Sequence, residues 1–477
     1  MKKLILAILV LFSTKVASQK NDPLRFNPEK YTMETLSEGG KTFKVRAYEG
    51  IVYVAHPVEA EYQQLNLYVP VEYFEGKSIG KFSAKTAPVF FPNQIGGYMP
   101  ASPAKATAPG RNNRANAVAV ALSKGFVVAS AGARGRTSAT GKAPAALVDL
   151  KAAVRYLKYN ADLIPGDMNK IISNGTSAGG ALSVLLGASG NDKRYTPYLK
   201  AIGAAETTDH IYAVSAYCPI TNLENADMAY EWQFNGVSSY KKIMLASLDY
   251  NTKRQYLQGR LNDQEEEISD ELKNAFPAYL NGLKLTDARG KKLVLNNKQE
   301  GSFKELLKQK VIESAEKAQQ TGVDLTKYNF LTLSNNKITD LDWNKYVAYM
   351  GRSKTPPAFD ALDMSAGENQ LFGDEKTDTK HFSLYTFKKS VGMGTLADPK
   401  VVSLMNPMTF IGKSNPNLPK YWRIRHGTKD SDTSLAISAI LATTLANAGA
   451  TVDYELAWDK PHSGDYDLEE LFSWMML

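Results

Sequence analysis

The 477 residues are 43% hydrophobic and 22% charged, enough to bury one large domain with an insertion and unlike the composition of a disordered chain. The formal charge of +8 is spread among acidic neighbours without a basic stripe, which excludes a nucleic-acid partner. The one cysteine, Cys218, excludes an intramolecular disulfide and a multi-cysteine zinc site; within the apolar run 211–220 it reads as a small core residue.

The chain opens with Lys2 and Lys3, an apolar run over 4–12 and the small residues Val16, Ala17 and Ser18. This is the pattern of a cleaved secretory signal over 1–18, with an apolar run too short to span a bilayer. The expected mature chain starts at Gln19, carries about +5 once Lys2, Lys3 and Lys15 are removed, and has no membrane span. Export to the periplasm or beyond is the expectation, and an exported protein without disulfides must rely on its core.

Residues 45–74 alternate apolar and polar and predict antiparallel strands at one end of a sheet. Strands and helices then alternate: a buried strand over 87–91, a helix over 113–124, a strand over 126–130, a helix over 143–159, a strand over 170–172, a helix over 178–186 and a strand over 212–217. This βαβ rhythm demands crossover helices and a mostly parallel sheet flanked by helices, an α/β fold. After about Thr221 the sequence turns more polar, with helical stretches over 263–276 and 301–319 and no buried strands between helices. It reads as an inserted domain over 222–412. The rhythm returns with a strand over 421–426, a helix over 433–446, a strand over 452–458 and a closing helix over 467–476, so the core is expected over 19–221 and 413–477.

Two stretches match G-x-S-x-G: Gly76-Lys77-Ser78-Ile79-Gly80 and Gly175-Thr176-Ser177-Ala178-Gly179. The pattern carries chemistry only between a strand and a helix, where the turn lifts the serine above the sheet. No helix follows Ser78, which reads as a turn residue. Ser177 has Ile171-Ile172 before it and an apolar helix after it, which identifies it as the nucleophile of an α/β-hydrolase fold. The oxyanion donors expected beside it are the backbone N–H of Ala178 and that of Gly96 or Gly97, on the glycine loop after strand 87–91.

In this fold the acid and then the histidine follow the nucleophile. His56 precedes Ser177, His210 and His381 lie before and within the insertion, and His426 ends a strand. His462, on the loop after the last strand, sits where the base belongs. Asp430, on the loop after strand 421–426, is the expected acid; Asp432 competes, as acid, substrate ligand or cap of the following helix. This chemistry calls for no metal or cofactor.

The stretches Asn174–Leu182, 145–159, 216–224, 423–435 and 461–468 resemble the bacterial tannases (tannin acyl hydrolases), over nearly the whole mature chain. The resemblance implies a lid-bearing α/β hydrolase that cleaves galloyl esters and depsides of a small-molecule polyphenol and releases gallic acid. It further implies that a lysine, a glutamate and an aspartate grip the ring hydroxyls. Lys354 in Ser353–Asp360, Glu368 in Gly367–Gly373 and Asp432 are similar to these three, which leaves Asp430 as the triad acid. Paired carboxylates and an ammonium suit phenols, which both donate and accept hydrogen bonds. The alternatives are a feruloyl esterase or general carboxylesterase, which needs the triad without the three grips, and a non-catalytic binding protein on the same scaffold.

Overall fold

The computed structural model describes residues 22–110, 115–243, 255–390, 394–412 and 414–476. The signal over 1–18 lies outside the described residues, as does the start of the helix expected from 113.

Thirteen strands are described: β1 (Thr32–Glu38), β2 (Lys41–Val52), β3 (Gln64–Pro70), β4 (Pro88–Pro92), β5 (Val127–Ala131), β6 (Asp167–Thr176), β7 (Ala213–Tyr217), β8 (Ser239–Ile243), β9 (Tyr256–Arg260), β10 (Leu331–Ser334), β11 (Lys337–Leu341), β12 (Tyr421–Gly427) and β13 (Thr451–Ala457). Nine form one sheet in the order β1-β2-β3-β5-β4-β6-β7-β12-β13. The first three strands and the β3–β5 junction are antiparallel. From β5 to β13 every pairing is parallel. Every residue of β4, β5 and β7 is buried, as expected for central strands covered on both faces. The edge strand β1 buries only Leu36. Sequence patterning misses β1 for that reason, and it locates only the middle of β6.

Helices α1 (Ala117–Ser123), α2 (Ala145–Tyr159), α3 (Ala178–Ala188) and α4 (Thr196–Ala201) supply the crossovers and flanks of the first half. The small residues of Ala178-Gly179-Gly180-Ala181 let α3 be buried along its whole length.

Between β7 and β12 the chain makes a long excursion. It contains α5 (Leu223–Phe234), α6 (Asp263–Gly282), α7 (Ser302–Gln320), α8 (Trp343–Met350), α9 (Gly367–Leu371), α10 (Leu384–Lys389) and α11 (Pro399–Leu404). Asn262 and Glu265 form a capping box that fixes the start of α6. Trp232 of α5 gathers Phe276, Phe303 and Trp343, with ring centroids 5.2 to 5.9 Å away, into an aromatic centre for the excursion. The excursion also carries two hairpins, in which β8 pairs with β9 and β10 with β11. These hairpins are largely exposed, so no run of buried residues announces them. The chain closes with α12 (Leu435–Asn447) and α13 (Leu468–Met475). Among the described residues no helix is long and apolar enough to cross a membrane.

Candidate active site

Ser177 stands between β6 and α3 with φ 60° and ψ −125°, a conformation that costs a non-glycine residue about 1–3 kcal/mol and persists where the surroundings enforce it. The enforcement is close packing. A Cβ on Gly175 would lie 2.3 Å from the Gly179 carbonyl oxygen, and one on Gly179 would lie 2.6 Å from that of Ile95. The turn therefore needs glycine at both positions, which gives the G-x-S-x-G spacing its physical meaning. Ala178 opens α3, whose first N–H groups have no partner within the helix. Ser78, by contrast, lies exposed in a stretch without helix.

Asp430 lies fully buried on the loop after β12, and His462 on the loop after β13. Their approach is close: His462 Nδ1 is 2.7 Å from Asp430 Oδ2. Asp430 Oδ1 accepts the backbone N–H of Asp432 at 2.9 Å, so the loop fixes the carboxylate from the other side. Burial works against charge on Asp430, but His462 and His426 outweigh it and hold the carboxyl far below the usual range. The loop of His462 is in turn pressed onto the elbow, since a Cβ on Gly464 would meet Thr176 Oγ1 at 1.9 Å.

Gly96 and Gly97 lie on the loop after β4, and Gly97 takes φ 54°. Asn93 ties this loop to the elbow. Its Nδ2 donates to the carbonyls of Asn174 and Gly179 and lies 3.0 Å from Ser183 Oγ, while its Oδ1 accepts the Ile95 N–H at 3.2 Å. Arg136 secures the far end, donating from Nε to the Gly97 carbonyl at 2.7 Å and from its backbone N–H to the Tyr98 carbonyl at 2.8 Å.

Lys354, Glu368 and Asp432 come from three separate stretches and meet beside His462. Lys354 Nζ is 3.5 Å from Asp432 Oδ2, which is 3.7 Å from His462 Nε2. Glu368 is close enough to interact with both Lys354 and Asp432; burial raises its carboxyl above the usual range, and Lys354 opposes that rise. Asp432 does not cap α12, whose cap is Ser434.

Several supporting residues were not legible in the sequence. Tyr230 of α5 accepts the backbone N–H groups of Ser353 and Lys354 at 3.1 Å each and donates to the Ser431 carbonyl at 2.8 Å. One phenol thus joins the Lys354 stretch to the Asp432 loop. Asp360, fully buried, accepts from Asn369, His381 and the N–H groups of Phe382 and Ser383. This anchors α9, which carries Glu368. His426, read as a strand end, puts Nε2 3.2 Å from Asp430 Oδ2 and Nδ1 2.8 Å from Ser438 Oγ. Cys218 is buried as expected, and its Sγ lies 3.5 Å from the Ser463 carbonyl oxygen and 4.0 Å from His462 Nε2. A buried tyrosine, aspartate or cysteine has no sequence signal that separates support of a site from ordinary packing.

Cys218, Asp430 and His462 are also the one group of such side chains, among the described residues, whose ligand atoms lie close enough to share an ion, within 4.8 Å of one another. Asp430 and His462 already direct facing atoms at each other.

A family model described as BD-FAE matches residues 102–259. No curated protein matches the chain. Among solved structures, a tannase of Fusobacterium nucleatum is similar at 50% identity, with 95% of this chain and 98% of that one covered and a TM-score of 0.92. A tannase from Lactobacillus plantarum is similar at 44% identity, with 95% and 99% covered and a TM-score of 0.91. A tannin acyl hydrolase in complex with ethyl gallate matches at 44% identity, with 95% and 98% covered and a TM-score of 0.89.

Proposed function

The chain belongs to the tannases, carboxylic ester hydrolases of the α/β-hydrolase fold, and from that premise we propose how its residues hydrolyse galloyl esters and depsides, with Ser177 as nucleophile, His462 as base and Asp430 as acid. The observation that carries the reading is the meeting of Lys354, Glu368 and Asp432 beside His462. A triad alone suits any ester. Two carboxylates and an ammonium suit an acyl ring carrying several hydroxyls.

The chemistry follows from the groups present. His462 Nε2 takes the Ser177 proton as Oγ attacks the galloyl carbonyl carbon, while Asp430 fixes the tautomer through Nδ1 and stabilises the imidazolium. The N–H groups of Ala178 and of Gly96 or Gly97 hold the oxyanion. The tetrahedral intermediate collapses, His462 protonates the departing alcohol, and a galloyl ester remains on Ser177. Water, deprotonated by His462, then attacks that ester and frees gallic acid.

Residues 222–412 form a lid in this reading, because they supply Lys354 and Glu368 to a triad borne by the core over 19–221 and 413–477. Residues 1–18 serve as an export signal, which fractionation of expressing cells tests: retention of the full chain in the cytosol would remove this part.

Purified wild type and Ser177→Ala are incubated with methyl gallate and ethyl ferulate, and acid release is followed by chromatography. Gallate released by wild type alone, with little ferulate, is expected. Strong ferulate release with little gallate would move the enzyme to the feruloyl esterases and remove the roles given to Lys354, Glu368 and Asp432.

A further inference from the structure

His462 has a carboxylate at each ring nitrogen. Nδ1 is bound to Asp430 Oδ2 at 2.7 Å. Nε2, the atom that must receive the Ser177 proton, faces Asp432 Oδ2 at 3.7 Å and Cys218 Sγ at 4.0 Å. The two aspartates belong to one loop, since the Asp432 N–H donates to Asp430 Oδ1. Asp432 is therefore held on the Nε2 side by the same backbone that positions the acid.

Two carboxylates favour the imidazolium, and an imidazolium cannot take a proton from serine. Burial opposes the charge on His462, but Asp430 first, then the Cys218 sulfur and Asp432, outweigh it and raise the ring well above the usual histidine range. Cys218 Sγ stands 4.0 Å from Nε2, and burial raises its thiol above the usual cysteine range. The other titratable neighbours stand one step away: Lys354 Nζ is 3.5 Å from Asp432, His426 Nε2 is 3.2 Å from Asp430, and Glu368 lies within reach of Lys354 and Asp432. At 3.7 Å the Asp432–His462 contact is an electrostatic hold beyond hydrogen-bond length, open to displacement by a better partner. A phenolic hydroxyl is such a partner, since a carboxylate accepts it in a short charge-assisted bond.

We propose that Asp432 restrains His462 in the empty site, and that a ring hydroxyl of the bound acyl group frees it by engaging Asp432. When the hydroxyl engages Asp432, the Nε2 proton passes to solvent and the neutral ring can accept from Ser177 Oγ. The residue that reads the hydroxyl thereby readies the base. This rests on the galloyl-ester reading for the identity of the hydroxyl. It adds that ring hydroxyls act on kcat as well as on KM.

Labelling of Ser177 by a fluorophosphonate probe, followed against pH on the full mature chain, reads the restraint without any galloyl group. In Asp432→Asn the midpoint of the labelling curve is expected to fall by about one pH unit, with labelling about ten-fold faster on its acid side. Asp432→Ser should move it the same way if Asp432→Asn folds poorly. An unchanged midpoint or slower labelling in a folded variant overturns the restraint. The release is read from kcat for methyl gallate and methyl benzoate. In wild type, kcat for methyl gallate should be about ten-fold or more higher, and in Asp432→Asn that ratio should shrink towards one. Hydroxyls that change KM alone in wild type overturn the release. Failure of wild type to cleave methyl gallate would instead defeat the galloyl reading, while the labelling shift still decides the restraint.

Discussion

Ser177, Asp430 and His462 follow the carboxyl ends of β6, β12 and β13, strands of one continuous sheet. Lys354 and Glu368 stand in the excursion, where no strand of that sheet supports them and the holding is done by side chains. Tyr230 clamps Lys354 to the Asp432 loop, and buried Asp360 secures the stretch around α9. Where backbone places the reacting groups, removal of one side chain should stop turnover and leave the fold intact. Recognition placed by buried side chains should loosen when a single support is altered.

The sharpest division is expected at the triad. Ser177→Ala should reduce turnover of methyl gallate by about 10⁴- to 10⁶-fold, and Asp430→Asn by about 10³- to 10⁴-fold, with thermal melting of Ser177→Ala close to wild type. Steady-state kinetics and calorimetry check this. Substantial activity in Asp430→Asn would mean that Asp430 is not the acid that orients His462.

A smaller and differently distributed effect is expected at Tyr230. Its phenol serves two backbone donors and one acceptor, so Tyr230→Phe should cost about 1–3 kcal/mol in stability. It should also lower kcat/KM for methyl gallate about ten-fold, with little change for a simple aryl acetate. Equal losses on both substrates would break the distinction between core chemistry and excursion recognition.

The mildest test concerns pH. Asp227 of α5 accepts the backbone N–H of Phe359 at 2.7 Å, and burial, reinforced by Asp360, pushes its carboxyl from 3.8 up to about 8. A raised acid binds its proton more tightly folded than unfolded, so its contribution to stability is full below about 3.8 and lost as pH rises through about 8. Melting temperature measured across that window should decline in wild type, and the decline should flatten in Asp227→Asn. An identical slope in both proteins would remove Asp227 from the account.

The same contrast governs what was legible in the sequence. Ser177 could be told from Ser78 because a strand, a turn and a helix are local patterns, and chain order then led to Asp430 and His462. The parallel sheet was legible from its buried runs, whereas β1 and the exposed hairpins of the excursion were not. Lys354 and Glu368 carry no local signal and were reached through family resemblance. Asn93 and Tyr230 act across long sequence separations through several hydrogen bonds each, Asp360 gathers donors from the stretch that follows it, and His426 acts by close approach to Asp430. The neighbourhood of Cys218 and His462 likewise arises only when β7 and β13 take their places in the sheet.

The most direct test of the account is to identify the covalent intermediate. Wild type is mixed with propyl gallate, quenched in acid during turnover and digested, and the peptides are read by mass spectrometry. A galloyl ester on Ser177 is the predicted result. A galloyl group on Cys218, or turnover through Ser177→Ala with none on Ser177 in wild type, would contradict it.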